Sequence, residues 1–114
     1  MQQDDSARTR HMLDSARQAV EFTDGRSRES LDDDAMLRLA IIRLLEILGE
    51  AAKAVSPELK DRYQDVPWRQ AARTRDRLIH AYFDVEMDIV WEIVTQDLPP
   101  LVVALEQLII DEGF

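Results

Sequence analysis

The chain has no cysteine among its 114 residues. That excludes disulfides, thiolate metal sites and cysteine nucleophiles, and it suits a reducing compartment. Glycine is scarce: Gly25, Gly49 and Gly113 lie far apart, so no glycine-rich loop exists to cradle a phosphate. There are only two histidines, His11 and His80, and no His-Glu-x-x-His zinc motif. Neither a metal site nor a cofactor is expected. Apolar runs are short, Leu39-Ala40-Ile41-Ile42 being typical. None approaches the roughly 18 consecutive apolar residues of a membrane helix. The first residues, Met1-Gln2-Gln3-Asp4-Asp5-Ser6, carry neither a basic nor an apolar signal region. The expectation is a cytoplasmic chain with no membrane contact, forming one domain over residues 1–114 with a short frayed tail over residues 1–7.

Positive charge is also in short supply. With 14 Lys+Arg against 23 Asp+Glu, the net charge is -9, which argues against a general nucleic-acid binder. The distribution is uneven. Residues 1–59 carry a net of -4 and residues 81–114 a net of -8. Residues 60–80, with Lys60, Arg62, Arg69, Arg73, Arg75 and Arg77, carry +3. One basic segment therefore sits inside an acidic protein. A solvated helix face is the ordinary explanation of such a run, and charge alone does not make it a phosphate site.

What the chain has in abundance is helical spacing. A first helix is predicted over Ala7–Thr23, with Met12, Leu13, Ala16, Ala19 and Val20 inward and Gly25 as its stop. A second is predicted over Leu31–Val55, capped by Ser30. Its apolar line runs Leu37, Ile41, Leu44, Leu48, Ala51 and Val55, and a further line is formed by Leu39, Ile42 and Leu45. Two such lines mark a central helix, or one that also packs on a partner. Ser56-Pro57 opens a short turn, and Val66-Pro67-Trp68 opens a third helix running to about Tyr82. Asp84 is predicted to cap a fourth helix with Met87, Val90, Trp91 and Val94 inward. Pro99-Pro100 interrupts it, and Leu101, Leu105, Leu108 and Ile109 continue the core. The architecture expected is an all-α, up-and-down bundle of four main helices, the last one broken at Pro99-Pro100.

Two constellations have mundane explanations. His11 falls on a polar face of the first helix, where solvation is expected. Glu46 and Glu50 lie one turn apart, but no Glu-x-x-His partner exists for a di-iron site, and Arg43 and Lys53 flank them. The third helix is different. At 100° per residue, Arg69, Arg73, Asp76 and His80 share one polar line, while Arg75 and Tyr82 share another. Asp76, one turn before His80, can orient its imidazole. Arg75 lies about 140° around the axis from His80, so either the long arginine curls partly around the helix or a two-fold copy of the helix brings Arg75 of one chain to His80 of the other. A histidine can move the proton of a ribose 2′-hydroxyl or of a leaving oxygen, and an arginine can hold the phosphate bidentately. That set contains what phosphodiester cleavage without a metal requires, although one histidine and several arginines on an exposed helix face are more often structural.

Arg75-Asp76, a spacer of three residues, then His80-Ala81-Tyr82 resembles the signature of the HepT-like proteins of the HEPN superfamily. The flanks Glu46-Ile-Leu-Gly-Glu-Ala-Ala-Lys53, Val66-Pro-Trp-Arg69, Phe83-Asp-Val85, Ile89-Val-Trp91 and Asp97-Leu-Pro-Pro100 are similar too, so the likeness extends over about residues 10 to 110. The resemblance implies a HEPN helical bundle acting as a homodimer, with the two motif helices facing across a shared cleft. It implies a metal-independent endoribonuclease toxin with Arg75 and His80 as catalytic pair and Asp76 as the polar residue that orients them. Arg69, Arg73 and Arg77 would then hold RNA phosphate. It further implies a cognate antitoxin, a minimal nucleotidyltransferase that transfers AMP to the motif tyrosine, here Tyr82. Ala81 stands where the family often has glycine. The alternative from another class is a non-catalytic helical dimer that binds a nucleotidyltransferase or a nucleotide, a reading the acidity favours.

Overall fold

The computed structural model describes residues 3–84 and 86–114; the side chains of residues 3 and 79–84 lie outside the description. Its elements are α1 (Gln3–Thr23), α2 (Ser30–Asp33), α3 (Ala35–Ala54), α4 (Pro57–Arg62), α5 (Trp68–Asp84), α6 (Met87–Glu92), a π-helical turn (Ile93–Asp97) and α7 (Leu98–Glu112). No strand occurs among the described residues. The main helices are α1, α3, α5 and the α6–α7 rod. In space α3 lies between α1 and α5, and α7 packs on the other side of α1. This is the all-α four-helix bundle that the helical periodicity predicts.

The core follows the predicted stripes. Met12, Leu13, Ala16 and Ala19 of α1 are buried, as are Leu37, Ile41, Leu44, Leu45, Leu48 and Ala51 of α3, with Val55 just after it. Each buried leucine or isoleucine contributes roughly 1.5–3 kcal/mol. The second line of α3 divides: Leu45 is buried, Ile42 is half-buried and Leu39 is exposed. From the C-terminal rod, Met87, Val90, Ile93, Val94, Leu98, Leu101, Leu105 and Leu108 enter the core. By length and composition alone, Met87–Glu112 is apolar enough to cross a membrane, although no run within it is uninterrupted. Here its apolar face is seated on α1.

Four local details differ from the sequence expectation. The tail expected to fray over residues 1–7 is helical from Gln3. Asp5 is buried and accepts hydrogen bonds from the Ser56 backbone N–H at 2.9 Å and from Ser56 Oγ at 2.5 Å, tying α1 to the α3–α4 corner. Next, the second predicted helix is divided. Ser30 starts only the single turn of α2, and Asp34 caps α3, its side chain accepting from the Leu37 N–H at 3.1 Å. Arg38 bridges the break by donating to the Leu31 carbonyl at 2.8 Å. Asp84, expected to cap the fourth helix, is the last residue of α5; Glu86 precedes α6 and makes no side-chain cap bond.

Finally, the interruption at Pro99-Pro100 takes a particular form. The two prolines lie in the first turn of α7, where a missing N–H costs least. The widened π turn just ahead of them absorbs the mismatch in hydrogen bonding. Within it, Thr95 Oγ1 donates to the Trp91 carbonyl at 2.7 Å. The rod therefore continues past the prolines with a bulge, and that bulge presents Asp97 to α5.

Candidate active site

Helix α5 owes its position to its first residue and to one glycine on the neighbouring helix. Trp68 is buried, and its indole Nε1 donates to the Tyr63 carbonyl at 2.9 Å, which pins the start of the helix to the end of α4. Ala71, Thr74 and Leu78 continue the buried side at helical spacing. The hydroxyl of Thr74 donates to the Gln70 carbonyl at 3.2 Å, so it enters the core with its hydrogen bond satisfied.

On the α3 side the approach is tight enough that a side chain in place of one glycine would press on its neighbour. A Cβ at Gly49 would lie 3.0 Å from Arg75 Cβ and 3.1 Å from Arg75 N. Gly49 is in the interior of α3, where glycine costs about 1 kcal/mol relative to alanine. Its place is explained by the contact: α3 lies directly against the backbone from which Arg75 departs. The sequence carried this signal, since an isolated glycine inside a helical pattern marks close packing.

The solvent side of α5 carries most of its charge. Arg69, Arg73, Arg75 and Asp76 are exposed. Arg69, Arg73, Arg75 and Asp76 line one groove of about 340 Å³ between α3 and α5, together with Glu50 and Lys53. A second groove of about 720 Å³ lies on the α4 side of the same helix and again includes Arg69 and Arg73, with Arg77 and Lys60. Among the described residues, Lys60, Arg69, Arg73 and Arg75 form no ion pair. Arg77 does: its guanidinium donates to Asp97 at 3.1 Å, joining α5 to the π turn. Its charge is thereby partly spent, which sets it apart from Arg69 and Arg73. His80 and Tyr82 fall in the last turns of α5, and their side chains lie outside the described residues.

Several groups singled out in the sequence stand apart from this helix. His11 is exposed on α1. Glu46 pairs with Arg43 at 3.6 Å, an ordinary contact along one helix. No group of three potential metal ligands occurs among the described residues. An electrostatic clamp lies elsewhere, at the C-terminus. Tyr63 Oη donates to Glu112 at 2.6 Å, and Arg62 donates to the same carboxylate at 2.8 Å. The bond to Glu112 pushes the Tyr63 phenol up to about 12, and Tyr63 with Arg62 holds the Glu112 carboxyl below its ordinary range. This clamp joins α4 to the end of α7 and so supports the wall of the larger groove.

Comparison with known proteins decides the family. The family described as "Ribonuclease HepT-like" matches residues 12–108. The chain belongs to the HepT-like ribonuclease family. A protein of Thermococcus cleftensis named "Probable ribonuclease HepT" is 38% identical over 100 residues, which cover 84% of this chain and 91% of the relative. "Putative RNase TTE0752" of Caldanaerobacter subterraneus subsp. tengcongensis is 38% identical over 91 residues, 80% of this chain and 81% of the relative. "Putative RNase MJ1380" of Methanocaldococcus jannaschii is 34% identical over 90 residues, 79% and 83%. Solved structures give no significant match.

Proposed function

We propose that this chain is a metal-independent endoribonuclease, the toxin of a pair whose antitoxin is a minimal nucleotidyltransferase. The observation that carries the reading is the gathering of Arg69, Arg73, Arg75 and Asp76 in the α3–α5 groove, on the helix that continues to His80. Arg75 binds the scissile phosphate and offsets the charge that develops on it. His80 moves the proton of the ribose 2′-hydroxyl or of the leaving oxygen, and Asp76, one turn earlier, orients the imidazole. Arg69 and Arg73 hold neighbouring phosphates. Arg77, bound to Asp97, fixes the helix and adds a weaker field.

The active form is a homodimer in which Arg75 of one chain faces His80 of the other. The angular separation of the two on α5 supports this, as do the exposed apolar side chains Met36 (83% exposed) and Leu39 (61% exposed) on α3. The protein acts in the cytoplasm. The antitoxin silences it by transferring AMP to Tyr82, which places a negative phosphate beside the cations that hold RNA and blocks the cleft with its bulk.

Expression in a host cell tests the reading. The wild-type chain should arrest growth, and His80→Ala and Arg75→Ala should each relieve the arrest while keeping the helical signal. Co-expression with the neighbouring nucleotidyltransferase should add one or more AMP units to the intact mass, and Tyr82→Phe should remove that gain. A harmless wild-type chain would favour the non-catalytic binding module instead. A Tyr82→Phe chain that is still modified would refute the tyrosine as acceptor.

A further inference from the structure

The groove on the α4 side of α5 has no part in the proton transfers assigned above, yet it is the larger of the two and the more basic. Lys60, Arg69, Arg73 and Arg77 line it, Gln64 and Gln70 add neutral donors, and no carboxylate does so among the described residues. In a chain with a net charge of -9 this concentration of cations stands out. Arg69 and Arg73 form the ridge between this groove and the one that holds Arg75. They are one turn apart, about 6 Å along the axis, so each can take a different phosphate of one strand. Arg69 precedes Arg75 by six residues, about 9 Å along the helix. Lys60, on α4, extends the cationic path beyond the ridge.

The chemistry of the lining selects backbone over bases. Base stacking needs an open aromatic face. The aromatic residue of this groove, Trp68, is only 8% exposed and its Nε1 is already bound to Tyr63. What remains accessible is an ammonium group, guanidinium groups and two amides. Such a set binds phosphate and ribose without reading sequence.

We propose that the Lys60–Arg69–Arg73 groove is a secondary phosphate subsite that holds the RNA backbone beyond the scissile phosphate, making extended RNA the substrate and short fragments poor ones. The proposal rests on the ribonuclease reading above and adds to it a length requirement and a new residue, Lys60. Each subsite cation contributes to binding through counterion release, which scales at about 0.7 per phosphate contact for single strands. Its effect falls on KM for long RNA and leaves the proton transfers alone.

The test compares wild type, Lys60→Glu, Lys60→Gln and, as a control with the same charge change, Arg17→Glu, which faces Glu106 on the α1–α7 side and lines neither α5 groove. Binding of a fully 2′-O-methylated 20-nucleotide strand, which cannot be cleaved, is read by fluorescence anisotropy over a salt series. Cleavage is read on a 20-nucleotide RNA and on a trinucleotide. Lys60→Glu should weaken binding about tenfold and raise KM on the long RNA similarly, with kcat within about twofold. Lys60→Gln should lower the salt slope by about 0.7. Trinucleotide cleavage should be the same for every variant, and Arg17→Glu should match wild type throughout. If wild type binds and cleaves RNA but Lys60→Glu does both equally well, the subsite is refuted while the ribonuclease reading stands. If wild type neither binds nor cleaves RNA, both fall together.

Discussion

Gly49 is the residue at which packing and proposed chemistry meet most closely. Gly49→Ala would gain helix propensity of about 1 kcal/mol, but the new methyl group would press on Arg75 Cβ and N at 3.0 and 3.1 Å, atoms that cannot move without their helix. Overpacking of this kind costs about 1–3 kcal/mol. The expected outcome is a slightly lowered melting temperature with a more than tenfold loss of RNA cleavage, measured together with circular dichroism to show the fold intact. Full activity would mean that the close contact does not govern Arg75. Asp5 makes a purely structural prediction. Asp5→Ala strips the Ser56 N–H of its acceptor in a buried corner and should lower stability by about 2 kcal/mol in urea unfolding. Residues were unequally legible. Arg75, Asp76 and His80 are singled out by the resemblance of their motif. Asp5 does not, because its partner is 51 residues away and nothing local distinguishes it from a solvated tail.

At the level of elements, periodicity revealed which faces are buried, while capping details depended on competition between similar signals. Ser30 and Asp34 are both sound caps; Asp34 won α3, and Ser30 was left with one turn. The Leu37 N–H holds the Asp34 carboxyl below its ordinary value of 3.8, so the cap favours the folded state above that value and loses its contribution as pH falls through the lower, folded value. Asp34→Ala should therefore lower the melting temperature by a few degrees at pH 7 and by progressively less as pH falls below 3.8. The same sign applies to Glu112, whose folded pKa is depressed by Tyr63 and Arg62. In Tyr63→Phe, its carboxyl resonance should titrate closer to 4.5 by NMR. An unchanged titration would show that the Arg62 contact alone sets it. The proline pair was legible as an interruption. Its resolution into a π turn was not, because that depends on the rod being held against α1 on one side and tied by Asp97 to Arg77 on the other.

For the whole molecule, the sequence disclosed the class of fold and the helix that bears the motif, since both follow from periodicity and short spacings. It did not disclose the two grooves along α5, which exist only once α3 and α4 flank that helix. Exposed Met36 and Leu39 on α3, with Val103 and Ile110 on α7, leave apolar surface beyond what the bundle covers. Light scattering at micromolar concentration should give the mass of a dimer. Mixing Arg75→Ala with His80→Ala should restore about a quarter of wild-type cleavage if each site takes one residue from each chain of a two-fold dimer. No recovery on mixing would place both residues of a site on one chain. The central claim is that the residues of α5 cleave RNA by themselves, and one measurement addresses it directly. Purified protein is incubated with total RNA and with tRNA, with and without EDTA, beside His80→Ala prepared in the same way. The account predicts cleavage that EDTA leaves unchanged and that His80→Ala lacks. Cleavage abolished by EDTA, or equal in the variant, would contradict it.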